Sequence, residues 1–170
     1  MMLGIRKERL IFGVFLILLI IAIELVLHHW HLPAWPVFMV MIFFFETHMD
    51  KSKAHKIIMG GLVGIACYVA TVKFVELAAP SLGIAAARLA FVCTVVYAIV
   101  AFGEVLPAIF NNYAFMFYLV SGLAARADQP APLLWAGLVV VGGIVVVMGI
   151  LGIRLIMAKI SQPQAATEGH

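Results

Sequence analysis

Charge is what this chain has least of. Only 11% of its residues are Asp, Glu, Lys or Arg, whereas a soluble globular domain carries about 25%. Hydrophobic residues make up 65% and the mean hydropathy is +1.16, far above the roughly 45–50% apolar content of soluble domains. A chain of 170 residues with this composition cannot cover itself with polar surface, so we predict a single all-α, polytopic membrane domain.

Several chemical signatures are missing as well. The two cysteines, Cys67 and Cys93, lie within apolar runs, which excludes a disulfide framework. The sequence has no Gly-x-Ser-x-Gly elbow, no P-loop and no His-Glu-x-x-His motif, so we predict that the protein is not an enzyme. No basic stretch is interleaved with base-stacking aromatics, which argues against nucleic-acid binding. The apolar runs offer no pair of histidines at mid-depth, and we expect no cofactor.

What the sequence does have is a series of apolar runs. Hydrocarbon cannot hydrogen-bond the backbone, so each run is expected to form a helix. We predict six transmembrane helices in one domain, residues 1–160, followed by a polar C-terminal tail, residues 161–170. The expected spans are residues 10–27, 34–46, 57–76, 84–102, 108–124 and 133–157.

The basic residues predict the orientation of these spans. With six spans both termini lie on one side, and that side collects most of the Lys and Arg, which is the mark of the cytoplasmic face. The outer segments on the opposite side contain Arg88, near the start of the fourth span, and Arg126, with Lys73 near the end of the third span. The cytoplasmic set is Arg6, Lys7, Arg9, Lys51, Lys53, Lys56, Arg154 and Lys159.

The second and fifth spans are the irregular ones. The second is short and flanked by Pro33 and Pro36, and the fifth follows a break that contains Gly103 and Pro107. Interrupted helices at matching positions in two halves of opposite orientation are typical of inverted-repeat transporters. The sequence therefore predicts a possible 3+3 inverted repeat.

Two stretches resemble a known family. Residues 43–46, Phe-Phe-Phe-Glu, lead through a loop ending at Lys56 to the Gly-Gly-Leu-Val-Gly of residues 60–64, and residues 106–110 read Leu-Pro-Ala-Ile-Phe. This pattern resembles the bacterial membrane family described as domain of unknown function 1097. The resemblance implies a six-helix protein of the bacterial inner (plasma) membrane with no agreed activity. The amides at residues 111–112 and the acidic loop at residues 46–50 depart from its pattern.

Polar residues near the ends of the spans are the candidate functional residues. Ionisable and amide groups in hydrocarbon are costly and usually face a wet cavity or one another, so they indicate the path of a small polar solute. We therefore predict a membrane channel, facilitator or transporter. Ordinary alternatives are interfacial ion pairs in the outer layer and hydrogen bonds between helices in the inner layer. The outer candidates are Glu24, Lys73, Glu76 and Arg88, and the inner ones are Glu46, Glu104, Asn111 and Asn112.

Two other functions stay open at this level. Glycines such as Gly60 and Gly64 allow close helix contacts, and these could join a non-transporting accessory or scaffolding subunit to a larger complex. Alternatively, His28, His29 and His31 are weak candidate ligands for a metal. The expected partners are the lipid bilayer, a small polar solute and further copies of the chain in a homo-oligomer.

Overall fold

The computed structural model describes residues 7–127 and 129–161, so residues 162–170 of the predicted tail lie outside the described residues. The described residues are mainly helical and contain no strand, which confirms the predicted all-α class. A short 3-10 helix, Lys51–Lys53, precedes the third helix. The six α-helices are α1 Lys7–His29, α2 Trp35–Glu46, α3 Ala54–Leu82, α4 Ile84–Phe102, α5 Asn112–Ala127 and α6 Pro132–Ser161.

Four of these helices are long and apolar enough to cross a membrane by length and composition: α1, α3 with its preceding 3-10 turn, α4 and α6. The second and fifth helices are shorter. With 12 and 16 residues they are about 18 Å and 24 Å long, against about 30 Å of hydrocarbon. The shortness expected of the second span is confirmed, and turns over residues 103–111 form the expected break before the fifth. The inverted repeat stays a prediction.

The end of α3 differs from the sequence-based expectation. A loop was predicted over residues 77–83 because of Pro80, but α3 continues through this proline to Leu82. Pro80 removes one helical hydrogen bond, the one from its own nitrogen to the Glu76 carbonyl, and because α3 ends two residues later the disturbance is confined to the last turn. The helix ends at Gly83, whose φ of 80° is readily adopted only by glycine, and α4 begins at the next residue.

The start of α5 also differs. The fifth span was expected from residue 108, but residues 103–111 form turns and the helix begins at Asn112. In these turns the amides of Ile109 and Phe110 donate to the carbonyl of Leu106. Pro107 has no amide proton to donate, so an α-helix cannot run regularly through this segment.

The described chain divides into two compact units. One contains α1 and α6 from Val145 onward, where Gly149 lies against the side chain of Leu19. The other comprises Trp35–Ile144 and therefore holds α2 to α5 and the first part of α6.

Within the second unit, α3 packs closely on α5 and α6 through its glycines. A Cβ on Gly60 would lie 2.5 Å from Asn111 Oδ1, and a Cβ on Gly64 would contact the backbone of Ala114 and Tyr118. On the neighbouring face, a Cβ on Gly61 would lie 2.8 Å from Val139 of α6. The close approach expected from these glycines is confirmed.

Aromatic rings fill the space between these helices around Phe117. The Trp35 ring lies 6.3 Å from Phe117 and 5.4 Å from Trp135, and the Phe43 ring lies 5.9 Å from Phe117. Phe117 itself is fully buried. On the other side of α3, Phe74 meets Phe91 of α4 at 5.2 Å. The rings hold α2, α4, α5 and α6 at fixed positions around α3.

Candidate functional site

A cavity of about 690 Å³ lies between the C-terminal halves of α3 and α5 and the N-terminal half of α4. All of its lining belongs to the second unit. Its walls are mainly apolar, and six side chains contribute polar or aromatic-polar groups: Tyr68, Thr71, Glu76, Arg88, Tyr118 and Arg126. A volume of this size is within the roughly 300–1,000 Å³ usual for small-molecule sites.

The helical repeat explains why these residues share one cavity. On α3 the lining residues Tyr68, Thr71, Val75 and Ala79 recur at intervals of three or four, which places them on one face. Nearer the start of α3, Gly60 and Gly64 pack directly against the beginning of α5. Beyond Gly64 the rest of α3 has no glycine, and α4 lines the third side of the cavity with Ile84, Arg88 and Val92.

A pair of hydroxyl groups forms the floor of the cavity. Thr71 Oγ1 lies 3.0 Å from the Tyr118 hydroxyl and donates to the Cys67 carbonyl at 2.7 Å. Both residues are buried, with 8% and 5% of their surface exposed. Because the threonine proton is engaged by Cys67, the Tyr118 proton can be donated either to Thr71 or to a bound solute. We call Thr71 and Tyr118 the hydroxyl pair.

Three charged residues line the cavity: Glu76, Arg88 and Arg126, here called the charged rim. All three are exposed. The Glu76 carboxylate accepts a hydrogen bond from Lys73 Nζ at 2.8 Å, so its charge is already paired. Arg88 lines the same cavity as Tyr118. Neither arginine forms an ion pair within residues 7–127 and 129–161.

The structure brings together part of the predicted outer set. Glu76 and Arg88 line the same cavity, and Lys73 stands beside it as the partner of Glu76. Glu24 lies exposed on α1, in the other unit, and it does not line the cavity. The ion pair proposed as an ordinary alternative is also present, and an exposed pair of this kind contributes only about 0–1 kcal/mol.

The predicted inner residues do not line this cavity. Asn112, Glu46 and Glu104 are exposed, and Glu46 interacts electrostatically with Tyr113. Asn111 is the N-cap of α5: its Oδ1 accepts a hydrogen bond from the Ala114 amide at 2.9 Å. A role for these four residues in a solute path stays a prediction.

The side-chain amide of Asn111 has partners at its other end as well. Its Nδ2 donates toward the carbonyls of Pro107 and Ala108 at 3.1 and 3.2 Å, and lies 3.4 Å from the Lys56 carbonyl at the start of α3. Asn111 therefore closes the turn after Pro107 and connects it to α3.

Replacing Asn111 by alanine is expected to lower the free energy of unfolding by about 1–2 kcal/mol, because an N-cap and a carbonyl partner are lost together. The adjacent Asn112→Ala is the matched control and should change the stability by less than about 0.5 kcal/mol, because Asn112 is exposed. Thermal unfolding of the purified variants measures both. Equal stability of the two variants would show that the cap contributes nothing.

The histidine cluster does not form a metal site in the described chain. His28 and His31 place their ring centroids 6.4 Å apart. Among the described residues, no three His, Cys, Asp or Glu side chains converge as a metal ion requires. The metal alternative therefore has no support from the geometry.

Four polar residues of the site were not among the sequence-based candidates: Thr71, Tyr118, Arg126 and Tyr68. The first two are 47 residues apart and pair across two helices, which no local pattern in the sequence signals. Arg126 was assigned only to a loop, because the fifth span was expected to end at residue 124, whereas α5 continues to Ala127. One further turn of helix brings its side chain to the cavity.

Comparison of the chain with family models, curated proteins and solved structures gives no match.

Proposed function

We propose that this chain is a polytopic protein of the bacterial inner membrane that acts as a facilitator or transporter for a small polar solute. Membrane insertion is supported by four long apolar helices and by the predominance of Lys and Arg on one side of the expected spans. In this orientation both termini are cytoplasmic, and the cavity opens toward the outer face. The domain of unknown function 1097 resemblance and the homo-oligomer remain part of this proposal.

The cavity is the observation on which the transport proposal rests. In a membrane, a charged rim over a floor of hydroxyl groups is expensive unless water or a solute reaches it. The arrangement offers a solute donors and acceptors at the floor, charges at the opening and apolar walls between them. Pockets with a few convergent polar groups are the usual form of small-molecule sites.

A facilitator with alternating access fits the packing better than a permanently open channel. Beneath the hydroxyl pair, Gly64 lies directly against the Ala114 carbonyl and Phe117 of α5. A solute moving further along α3 would require α3 and α5 to separate. Two packed arrangements of one helix pair, open to opposite sides, are how such proteins move a solute without a continuous pore.

The accessory-subunit alternative makes the opposite prediction. A scaffold subunit would co-purify with a larger membrane complex and would show no flux in isolation. Uptake by the purified protein in proteoliposomes therefore separates the two functions.

The test is uptake of glycerol, urea, lactate and decanoate into proteoliposomes, with protein-free liposomes as the baseline. At least one solute should enter faster with the protein present, and Thr71→Val/Tyr118→Phe should reduce that rate about tenfold or more, because the floor loses both hydroxyls. The control variant Thr94→Val/Tyr97→Phe removes the same groups from exposed positions of α4 outside the cavity. Baseline flux for all four solutes, or equal flux in the two double variants, would reject the proposal.

A further inference from the structure

The charges around the cavity are unbalanced. Two arginines and one carboxylate form the rim, and that carboxylate is bridged to Lys73. The positive charges of Arg88 and Arg126 are thus left without a carboxylate partner in the described part of the chain. Two guanidinium groups beside one opening attract an anion, and a carboxylate is the planar, bidentate partner that fits them.

The walls between rim and floor are apolar. Aliphatic side chains from all three helices line the cavity, among them Val72, Val75, Ile84, Val92, Leu119 and Leu123. A fully hydrophilic anion would make no apolar contacts with these side chains. An alkyl chain would cover them, and burial of apolar area favours binding.

The two features together define the ligand class. Resting on the proposed function, we infer that the solute of this cavity is an amphipathic anion: a single-chain carboxylate whose head group pairs with Arg88 and Arg126 and whose alkyl chain lies along α3, α4 and α5. A cavity of about 690 Å³ has the size of a site for one small molecule.

The position of each arginine supports this arrangement. Arg126 lies in the last turn of α5 and Arg88 in the second turn of α4, so the two head-group ligands come from different helices at the same end of the cavity. Arg88 and Tyr118 line the same cavity.

The experiment measures saturable binding of radiolabelled decanoate to the protein in phosphatidylcholine nanodiscs, with empty nanodiscs subtracted. Decan-1-ol and decylamine serve as neutral and cationic competitors of equal chain length. We expect decanoate to bind saturably, decan-1-ol to compete roughly tenfold more weakly than unlabelled decanoate, and decylamine not to compete. Equal competition by decan-1-ol would overturn the anion assignment.

Variants of Arg88 and Arg126 test whether these two residues bind the carboxylate head group. Arg88→Gln/Arg126→Gln should weaken decanoate binding roughly tenfold or more, whereas Arg88→Lys/Arg126→Lys, which keeps the charge but loses the planar fork, should weaken it less. The matched control, Lys51→Gln/Lys53→Gln, removes two charges about 22 Å along α3 from the cavity and should bind like the wild type. Wild-type affinity in the Arg→Gln variant, with its helical circular dichroism intact, would overturn the inference.

A second arm distinguishes a free carboxylate from a lipid of the bilayer. Including phosphatidylglycerol in the nanodiscs should leave the decanoate affinity within about twofold. Loss of decanoate binding in its presence would assign the arginines to an anionic phospholipid head group and reject the inference. Loss of all flux with decanoate binding intact would reject the facilitator, whereas flux of glycerol, urea or lactate without decanoate binding would reject only the ligand class.

Discussion

Gly64→Val is expected to lower the free energy of unfolding by about 3 kcal/mol or more. A Cβ at this position would collide with the Ala114 carbonyl and lie 2.7 Å from the backbone nitrogen of Tyr118. Overpacking against side chains costs about 1–3 kcal/mol, and here the obstacle is partly backbone, which cannot rotate away. The contact between α3 and α5 should open, and thermal unfolding in detergent should show a lower midpoint.

Gly137→Val is the matched control for this change. Gly137 lies in α6 of the same unit, and nothing lies within 4 Å of the Cβ that would be added. Both variants add the same β-branched side chain to a helical glycine, so their intrinsic propensities are equal. Equal unfolding midpoints for the two variants would contradict the close packing of α3 on α5.

Gly122→Leu is expected to abolish uptake without loss of stability. Gly122 lines the cavity, and its added Cβ would also meet nothing within 4 Å. A leucine there extends into the space that the solute needs, while replacing a helical glycine raises helix propensity by up to about 1 kcal/mol. Solute uptake should fall about tenfold or more, and the unfolding midpoint should stay equal or rise.

The control for the filled cavity is Gly137→Leu, which adds the same side chain outside it. Uptake by this variant should equal that of the wild type. If Gly122→Leu protein is stable and transports normally, the solute does not pass through the α3–α4–α5 cavity.

Local sequence patterns predicted the ends of a helix correctly where a glycine stands on each side of it. The fourth helix was expected at residues 84–102 and is observed at Ile84–Phe102, because Gly83 and Gly103 flank an uninterrupted apolar run. The end of α3 was misplaced: the third span was expected to end at residue 76, whereas the helix continues to Leu82 through Pro80, which removes only one hydrogen bond of the last turn.

Only some residues of the candidate site could be predicted from the sequence. Glu76 and Arg88 were recognisable as charges close to the ends of apolar runs. The hydroxyl pair depends on the depth at which α5 lies along α3, and this is set by Gly60 and Gly64 contacting the start of α5. Asn111 shows what local patterns leave out: its side chain caps the start of α5, and its proposed role in a solute path stays a prediction.

Cysteine accessibility in vesicles of defined orientation tests the central claim most directly. In a background with Cys67 and Cys93 replaced by alanine, Gly122→Cys places a thiol in the cavity, and Ser121→Cys places one at the adjacent, fully buried position. A membrane-impermeant anionic methanethiosulfonate should modify Gly122→Cys rapidly from the outer face and leave Ser121→Cys unmodified. Equal modification of both positions, or modification of Gly122→Cys only from the cytoplasmic face, would contradict a solute cavity open to the exterior.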